Sequence, residues 1–189
     1  MDQSAVLNLF RSSGALLEGH FKLSSGLHST GYLQSALVLQ HPAHAEALGR
    51  ALANGLASLG ATAVLSPALG GLIIGHEVGR ALGIRALFAE RQEAVLTLRR
   101  GFHLDAADRV VIIEDVLTTG GSTRETMAVA RGAGATVVGA GAIIDRSGGD
   151  QGLDVPFHAL VTLSLPTYPP ESCPLCAAGR PVTKPGSRT

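Results

Sequence analysis

Lysine is scarce in this chain: Lys22 and Lys184 are the only two among 189 residues. Neither follows a glycine-rich turn, so there is no P-loop, whose lysine reaches the β and γ phosphates of a nucleotide. The dinucleotide fingerprint G-x-G-x-x-G is missing from the turn at 114–123, which disfavours hydride transfer as well as nucleoside triphosphate hydrolysis. Net charge is also lacking. Fifteen basic residues balance fifteen acidic ones, so no overall field recruits nucleic acid or a membrane surface. No stretch approaches about 18 uninterrupted apolar residues, and the opening Met-Asp-Gln-Ser-Ala has neither the basic start nor the apolar centre of a signal peptide. A soluble cytoplasmic enzyme is expected.

Cysteine is limited to Cys173 and Cys176, in Cys-Pro-Leu-Cys. One C-x-x-C pair supplies two of the roughly four ligands of a structural zinc, and it lies in a Pro-rich tail instead of at a helix start after a strand. Packing cysteines are expected, with a labile disulfide or a metal shared between subunits as the alternatives. His20, His28, His41, His44, His76 and His158 show no clear metal-ligand spacing and read as surface or satisfied residues.

What is abundant is glycine, 24 residues against a usual share of about 7%, clustered at turns that suit backbone contacts to anions. The most informative run is Val110-Val-Ile-Ile-Glu-Asp-Val-Leu-Thr-Thr-Gly-Gly-Ser-Thr123. Four consecutive β-branched residues, Val110 to Ile113, have the pattern of a short parallel strand covered on both faces. Glu114 and Asp115 then stand at its carboxyl end, where open α/β sheets bind ligands. Thr118 to Thr123 offer hydroxyl and backbone N–H donors to an anion, helped by the positive end of a helix starting near Ser122. Such acids suit sugar hydroxyls, and such a loop suits phosphate.

A helix is expected over 1–17, then a hairpin or small hood over 18–34, punctuated by Gly26 and Gly31. Pro42 opens a helix with Leu48, Leu52, Leu56 and Leu59 on one stripe, ended by Gly60. A strand over 61–66 feeds Pro67-Ala-Leu-Gly-Gly71, a second glycine-rich turn before a helix to Leu82. Residues 85–89 read as a strand and 90–103 as a hairpin or mobile loop. The signature strand and its helix follow, then a buried strand over 137–144 that delivers Asp145 and Arg146. One more strand is expected over 153–165, and a tail rich in proline and small residues from 166. Strand–helix alternation predicts an α/β, Rossmann-like parallel sheet flanked by helices. The expected organisation is one domain, with a hood over about 1–40, a core over about 41–165 and a C-terminal tail over about 166–189.

The order strand, acid pair, Thr-Thr-Gly-Gly-Ser-Thr, helix resembles the phosphoribosyl pyrophosphate (PRPP) signature of the type I phosphoribosyltransferases. Three further segments resemble the orotate branch of that family: Phe21-Lys-Leu-Ser-Ser-Gly-Leu-His-Ser29, Ser66-Pro-Ala-Leu-Gly-Gly71 and Ile144-Asp-Arg-Ser-Gly-Gly149. The tail from Tyr168 through Lys184 to Arg188 is similar to the ending of one bacterial branch. The resemblance implies transfer of a phosphoribosyl group from PRPP to orotate, giving orotidine 5′-monophosphate and pyrophosphate in pyrimidine synthesis. It assigns Glu114 and Asp115 to the ribose hydroxyls. Val116 and Leu117 fall among the PRPP-binding residues, Thr118, Thr119, Gly120, Gly121 and Ser122 go to its 5′-phosphate, and Ala68, Leu69 and Gly70 to its pyrophosphate. Thr118, Arg146 and Ser24 fall on the orotate side. Mg²⁺ is implied as cofactor, held mainly through PRPP oxygens with no dedicated protein ligand set. A homodimer sharing loop residues is implied too, with no nucleic-acid or membrane partner.

The chain departs from the family at its catalytic loop, which usually carries lysines and a histidine. Here Arg91, Arg99, Arg100 and His103 are the cationic candidates, and Ser24 replaces a family lysine. An arginine can clamp pyrophosphate through two parallel N–H donors but does not shed its proton, so any proton transfer falls to His103 or to no residue. Competing readings are a solvated hairpin edge for Arg99 and Arg100 and a structural bridge to Asp145 for Arg146. At the level of function they are a phosphoribosyltransferase for a purine or another base, and a PRPP-sensing regulator that binds nucleic acid.

Overall fold

The computed structural model describes residues 1–23 and 25–185. Its centre is a six-stranded sheet in the order β5-β4-β3-β6-β7-β8. The strands are β3 (Ala63–Pro67), β4 (Arg85–Gln92), β5 (Val95–Leu98), β6 (Arg109–Leu117), β7 (Thr136–Asp145) and β8 (Phe157–Thr162). All neighbours pair in parallel except β4 and β5, which form an antiparallel hairpin. Alternate residues of β6 serve opposite faces: Val111 and Ile113 enter one buried cluster, Val110 and Ile112 the other. The expected α/β sheet is therefore present, and the β-branched run is explained by cover on both faces.

Helices α3 (Pro42–Leu56) and α4 (Gly71–Leu82) pack on the first face together with α1 (Gln3–Ser12) and the short α2 (Ser35–Leu39). Helix α5 (Gly121–Gly132) covers the second face through Met127 and Ala130. The chain leaves β3 towards β4 on one side, whereas β6 leads to β7 on the other. The carboxyl ends of β3 and β6 thus flank the point where strand order reverses, the crevice in which open α/β sheets bind ligands.

A second, three-stranded sheet forms the hood: β1 (Leu16–Lys22), β2 (His28–Leu33) and β9 (Thr167–Tyr168), in that order and antiparallel. Helix α1 stops at Ser12, short of the expected residue 17. Gly14 adopts φ 65°, and Ala15 N–H returns to the Phe10 carbonyl at 2.7 Å, closing the helix with a left-handed cap. Leu17 accordingly belongs to β1. The strand expected over 153–165 begins only at Phe157, because Pro156 has no N–H to give to a ladder, although its carbonyl still accepts from Ala140 at 2.9 Å. The C-terminal tail is also more ordered than its composition suggested. Beyond β9, α6 (Pro174–Ala177) packs beneath the hood, and Thr183 exchanges backbone bonds with Lys22 and His20 at 2.8 and 2.9 Å.

Candidate functional site

The acid pair lies within the last residues of β6. Glu114 is buried, 6% exposed, and accepts a 2.7 Å hydrogen bond from the Ser122 hydroxyl at the start of α5. Burial, and then the neighbouring Asp115 charge, push its carboxyl up to about 8 against the donation from Ser122, so near neutrality the ligand-free site holds a proton there. Asp115 is half-buried and meets the other loop of the site. A Cβ added to Gly70 would lie 2.6 Å from Asp115 Oδ1, so the backbone of the β3–α4 turn approaches this carboxylate as only glycine permits.

Val116 is half-buried against the core, Leu117 is buried, and Thr118 and Thr119 are exposed at the crest of the turn. Gly120 takes φ 72° and starts α5 without a side-chain cap. The first turn of α5 contains no acidic residue. Its leading N–H groups and positive dipole end are thus left for an anion, with Gly121 and Ser122 at the rim. The turn at Ala68, Leu69 and Gly70 is pinned by Ala68 N–H to the Ala89 carbonyl of β4 at 2.8 Å. Its Ala68–Leu69 peptide is cis, and Leu69 is 82% exposed. Helix α4 also begins without a side-chain cap or an acidic first turn. Two helix N-termini and two carboxylates therefore border one crevice.

Arg146 follows the end of β7, and its N–H donates to the Leu117 carbonyl at 2.7 Å, which sets it beside the Thr118 turn. The rival bridge to Asp145 does not form. The Asp145 carboxylate instead accepts from the Ser147 N–H and the Gln151 amide, each at 2.8 Å. Burial opposes ionisation of Asp145, and these donors outweigh it and hold the carboxyl below its usual range. Among the described residues Arg146 makes no salt bridge, and its buried Nε has no hydrogen-bond partner. Burial lowers the guanidinium pKa, yet the group stays charged. A half-buried cation with an unsatisfied donor is costly until an anion pairs with it.

The segment 90–103, expected as a hairpin or mobile loop, is a tight hairpin of β4 and β5 as far as Leu98, followed by a turn. Glu93 and Ala94 both take positive φ, 48° and 72°, the geometry of the turns that best match twisted strands. Its cations are held by the chain's own acids. Arg91 Nη2 lies 2.8 Å from Glu125 Oε2 on α5. Arg99 and Arg100 lie 3.7 and 3.0 Å from the Glu90 carboxylate, and Arg100 sits 5.8 Å above the Phe88 ring. His103 is exposed. These four residues are thus distributed along the hairpin and the turn after it, not gathered at the acid pair. Ser24, assigned to the orotate side, lies outside the described residues.

Two contributors gave no usable sequence signal. Arg124 donates to the Gln151 carbonyl at 3.3 Å, and a Cβ on Gly120 would come 2.6 Å from that same carbonyl oxygen. The 147–152 loop therefore folds over the start of α5 and borders the site. The bonds span 27 residues of chain, beyond the reach of any local pattern.

No family model matches the chain. It is 51% identical over 188 residues to an orotate phosphoribosyltransferase of Pelotomaculum thermopropionicum, covering 100% of this chain and 99% of that one. It is 50% identical over 195 residues to one of Heliobacterium modesticaldum, covering 100% of each. Among solved structures, the fold is similar to orotate phosphoribosyltransferase from Aeropyrum pernix, with TM-score 0.71, 25% identity, and 84% and 93% of the two chains covered. It is also similar in fold to the Mycobacterium tuberculosis orotate phosphoribosyltransferase in complex with PRPP, with TM-score 0.71, 22% identity, and coverage of 86% and 97%.

Proposed function

The chain belongs to the orotate phosphoribosyltransferase family, and on that premise we propose that it transfers the 5-phosphoribosyl group of PRPP to orotate. The products are orotidine 5′-monophosphate and pyrophosphate. The observation that carries the choice of an anionic base is Arg146, a half-buried guanidinium with an unpartnered Nε at the edge of the crevice. In this reading the fork of Arg146 receives the orotate carboxylate, with Thr118 beside it. The N-terminus of α5 and residues 118–122 receive the 5′-phosphate, Glu114 and Asp115 the ribose hydroxyls, and the turn at 68–70 the pyrophosphate.

Departure of pyrophosphate leaves positive character at C1 of the ribose and adds negative charge to the leaving group. Preorganised donors aimed at that group do most of the work. Orotate carries its charge on the carboxylate; as the bond from N1 to C1 forms and the bond from C1 to pyrophosphate breaks, the N1 proton passes to water or to the departing pyrophosphate, so no protein base is required. Mg²⁺ fits a crevice whose acids offer hard oxygen donors, with Asp115 pressed against the pyrophosphate turn. There it would neutralise charge on the leaving group, with Asp115 the carboxylate at the pyrophosphate turn that would face it. Family membership further supports a homodimer of single-domain subunits, with the 90–103 hairpin of one reaching the crevice of the other, and a cytoplasmic role in pyrimidine synthesis. No helix among the described residues is long and apolar enough to cross a membrane.

Incubating the purified chain with PRPP, Mg²⁺ and orotate tests the reading by loss of orotate absorbance. Adenine, guanine and hypoxanthine are run in parallel by pyrophosphate release. Turnover with orotate and not with the purines is the expected result; purine turnover would reassign the pocket. Two substitutions probe its parts. Gly70→Ala drives a methyl into Asp115, and kcat/KM for PRPP is expected to fall at least about tenfold with little loss of melting temperature. Arg91→Ala is expected to lower kcat by about 10- to 100-fold if Arg91 swings from Glu125 to the pyrophosphate during turnover. Near-normal turnover excludes Arg91 as the leaving-group clamp.

A further inference from the structure

His20, His28, Cys173 and Cys176 converge although two come from the hood hairpin and two from the far end of the chain. Nε2 of His20 lies 2.8 Å from Nδ1 of His28. Cys173 Sγ is 3.5 Å from His20 Nε2, and Cys176 Sγ is 3.7 Å from His20 Nε2 and 3.2 Å from His28 Nδ1. All four donor atoms fall within 4.8 Å of one another, and three of the four residues are buried. Both histidines are buried and satisfied by hydrogen bonds, so neither is a surface residue.

We propose that these four side chains form a structural zinc site that fastens the C-terminal segment to the hood. Tetrahedral zinc, with bonds of about 2.0–2.1 Å to nitrogen and 2.3 Å to sulfur, places neighbouring N and S ligands about 3.6 Å apart and two nitrogens about 3.3 Å apart. Three of the four sulfur–nitrogen distances match to within about 0.4 Å, and the imidazole pair would open by about half an ångström. Two thiolates and two imidazoles are a soft and borderline set that suits zinc over the hard, oxygen-seeking Mg²⁺.

A second contact points the same way. His20 Nδ1 lies 2.9 Å from the Arg180 carbonyl, so that nitrogen carries the proton and donates. The lone pair is thereby left on Nε2, the atom facing the cluster, and a backbone carbonyl behind a ligating imidazole is the usual outer support of a metal site. The site has four protein ligands and no open position, so its role is to hold structure, not to activate a ligand.

What it holds follows from the fold. His20 and His28 stand on β1 and β2, the two strands of the hood hairpin, and Cys173 and Cys176 lie at the start and within α6. Among the described residues the hood's other backbone ties to the tail are the two-residue β9 and the Thr183 bridge. Small sheets with so little core commonly need a cross-link.

The test uses the full chain without a histidine tag, purified under reducing conditions without chelator, and does not depend on activity. About one zinc per chain is expected by elemental analysis, with less than about one-tenth in the Cys173→Ser/Cys176→Ser double variant. Chelator-stripped protein given Co²⁺ should develop the visible bands of a tetrahedral cobalt–thiolate centre. Should the double variant fail to fold, the parent decides: a thiol-specific mercurial must release the zinc in step with modification of Cys173 and Cys176. The proposal is overturned by a parent that neither carries zinc nor takes up zinc or cobalt after reduction. Equal metal in parent and a folded double variant overturns it, as does a Cys173–Cys176 disulfide that yields no metal-binding thiols when reduced.

Discussion

Replacing Arg146 by alanine should raise the Michaelis constant for orotate by about 100-fold, since a buried charge-assisted pair contributes about 2–3 kcal/mol and tenfold corresponds to about 1.4 kcal/mol. The constant for PRPP should stay within about threefold of the parent's, because the phosphate donors come from helix termini and not from this side chain. The asymmetry follows from the geometry: Arg146 is fixed by its own N–H to Leu117, beside the loop proposed for PRPP but outside it. Arg146→Lys should recover only part of the loss, since an ammonium lacks the planar fork. Stability offers an independent check. A half-buried cation with an unpaired Nε costs free energy in the ligand-free fold, so the alanine variant should melt no lower than the parent. Steady-state kinetics with each substrate varied in turn decide the matter; equal effects on both constants would remove the assignment.

Glu114→Gln should separate function from stability. In the ligand-free fold the Glu114 carboxyl retains its proton up to about 8, whereas in the unfolded chain it ionises near the ordinary value of about 4.3. The folded state therefore binds the extra proton between those values, and stability falls as pH rises across that window. Glutamine is neutral throughout. At pH 8.5 the variant should melt several degrees above the parent, on a scale of about 2–4 °C per kcal/mol for a chain of this size, and the gap should shrink towards pH 5. Activity should move the other way. If ionised Glu114 accepts ribose hydroxyls, the parent's kcat/KM for PRPP rises with pH towards about 8, and the variant loses about 100-fold of it with a flatter profile. Thermal melts and kcat/KM across pH 5–9 test both; parallel losses of stability and activity would refute the trade.

The parallel sheet and its ligand-binding end were legible because β6 carries four β-branched residues before two acids and a run of hydroxyls and glycines. Each of those signals is local. Arg146 was legible by resemblance, but the absence of its rival bridge to Asp145 was not, since that depends on Gln151 folding back onto the carboxylate. The cationic hairpin was half legible: its residues were identified, while their pairing with Glu90 and Glu125 required knowing how β4 and β5 pack beside α5. The convergence of His20 and His28 with Cys173 and Cys176 had no local signature at all. About 150 residues separate the pairs, and only the return of the tail along β9 and α6 brings them together. Pro-rich composition suggested a tail, yet Cys173 is 3% exposed, a degree of burial that composition does not report.

Orotate and uracil differ by the carboxylate that Arg146 is proposed to pair with, so the most direct measurement is their kcat/KM ratio with saturating PRPP and Mg²⁺. A site holding a half-buried guanidinium with an unpartnered Nε should favour orotate by about 10³-fold or more, and Arg146→Ala should collapse most of that ratio. Comparable turnover of the two bases by the parent, or a ratio untouched by the substitution, would contradict recognition of an anionic base at this crevice.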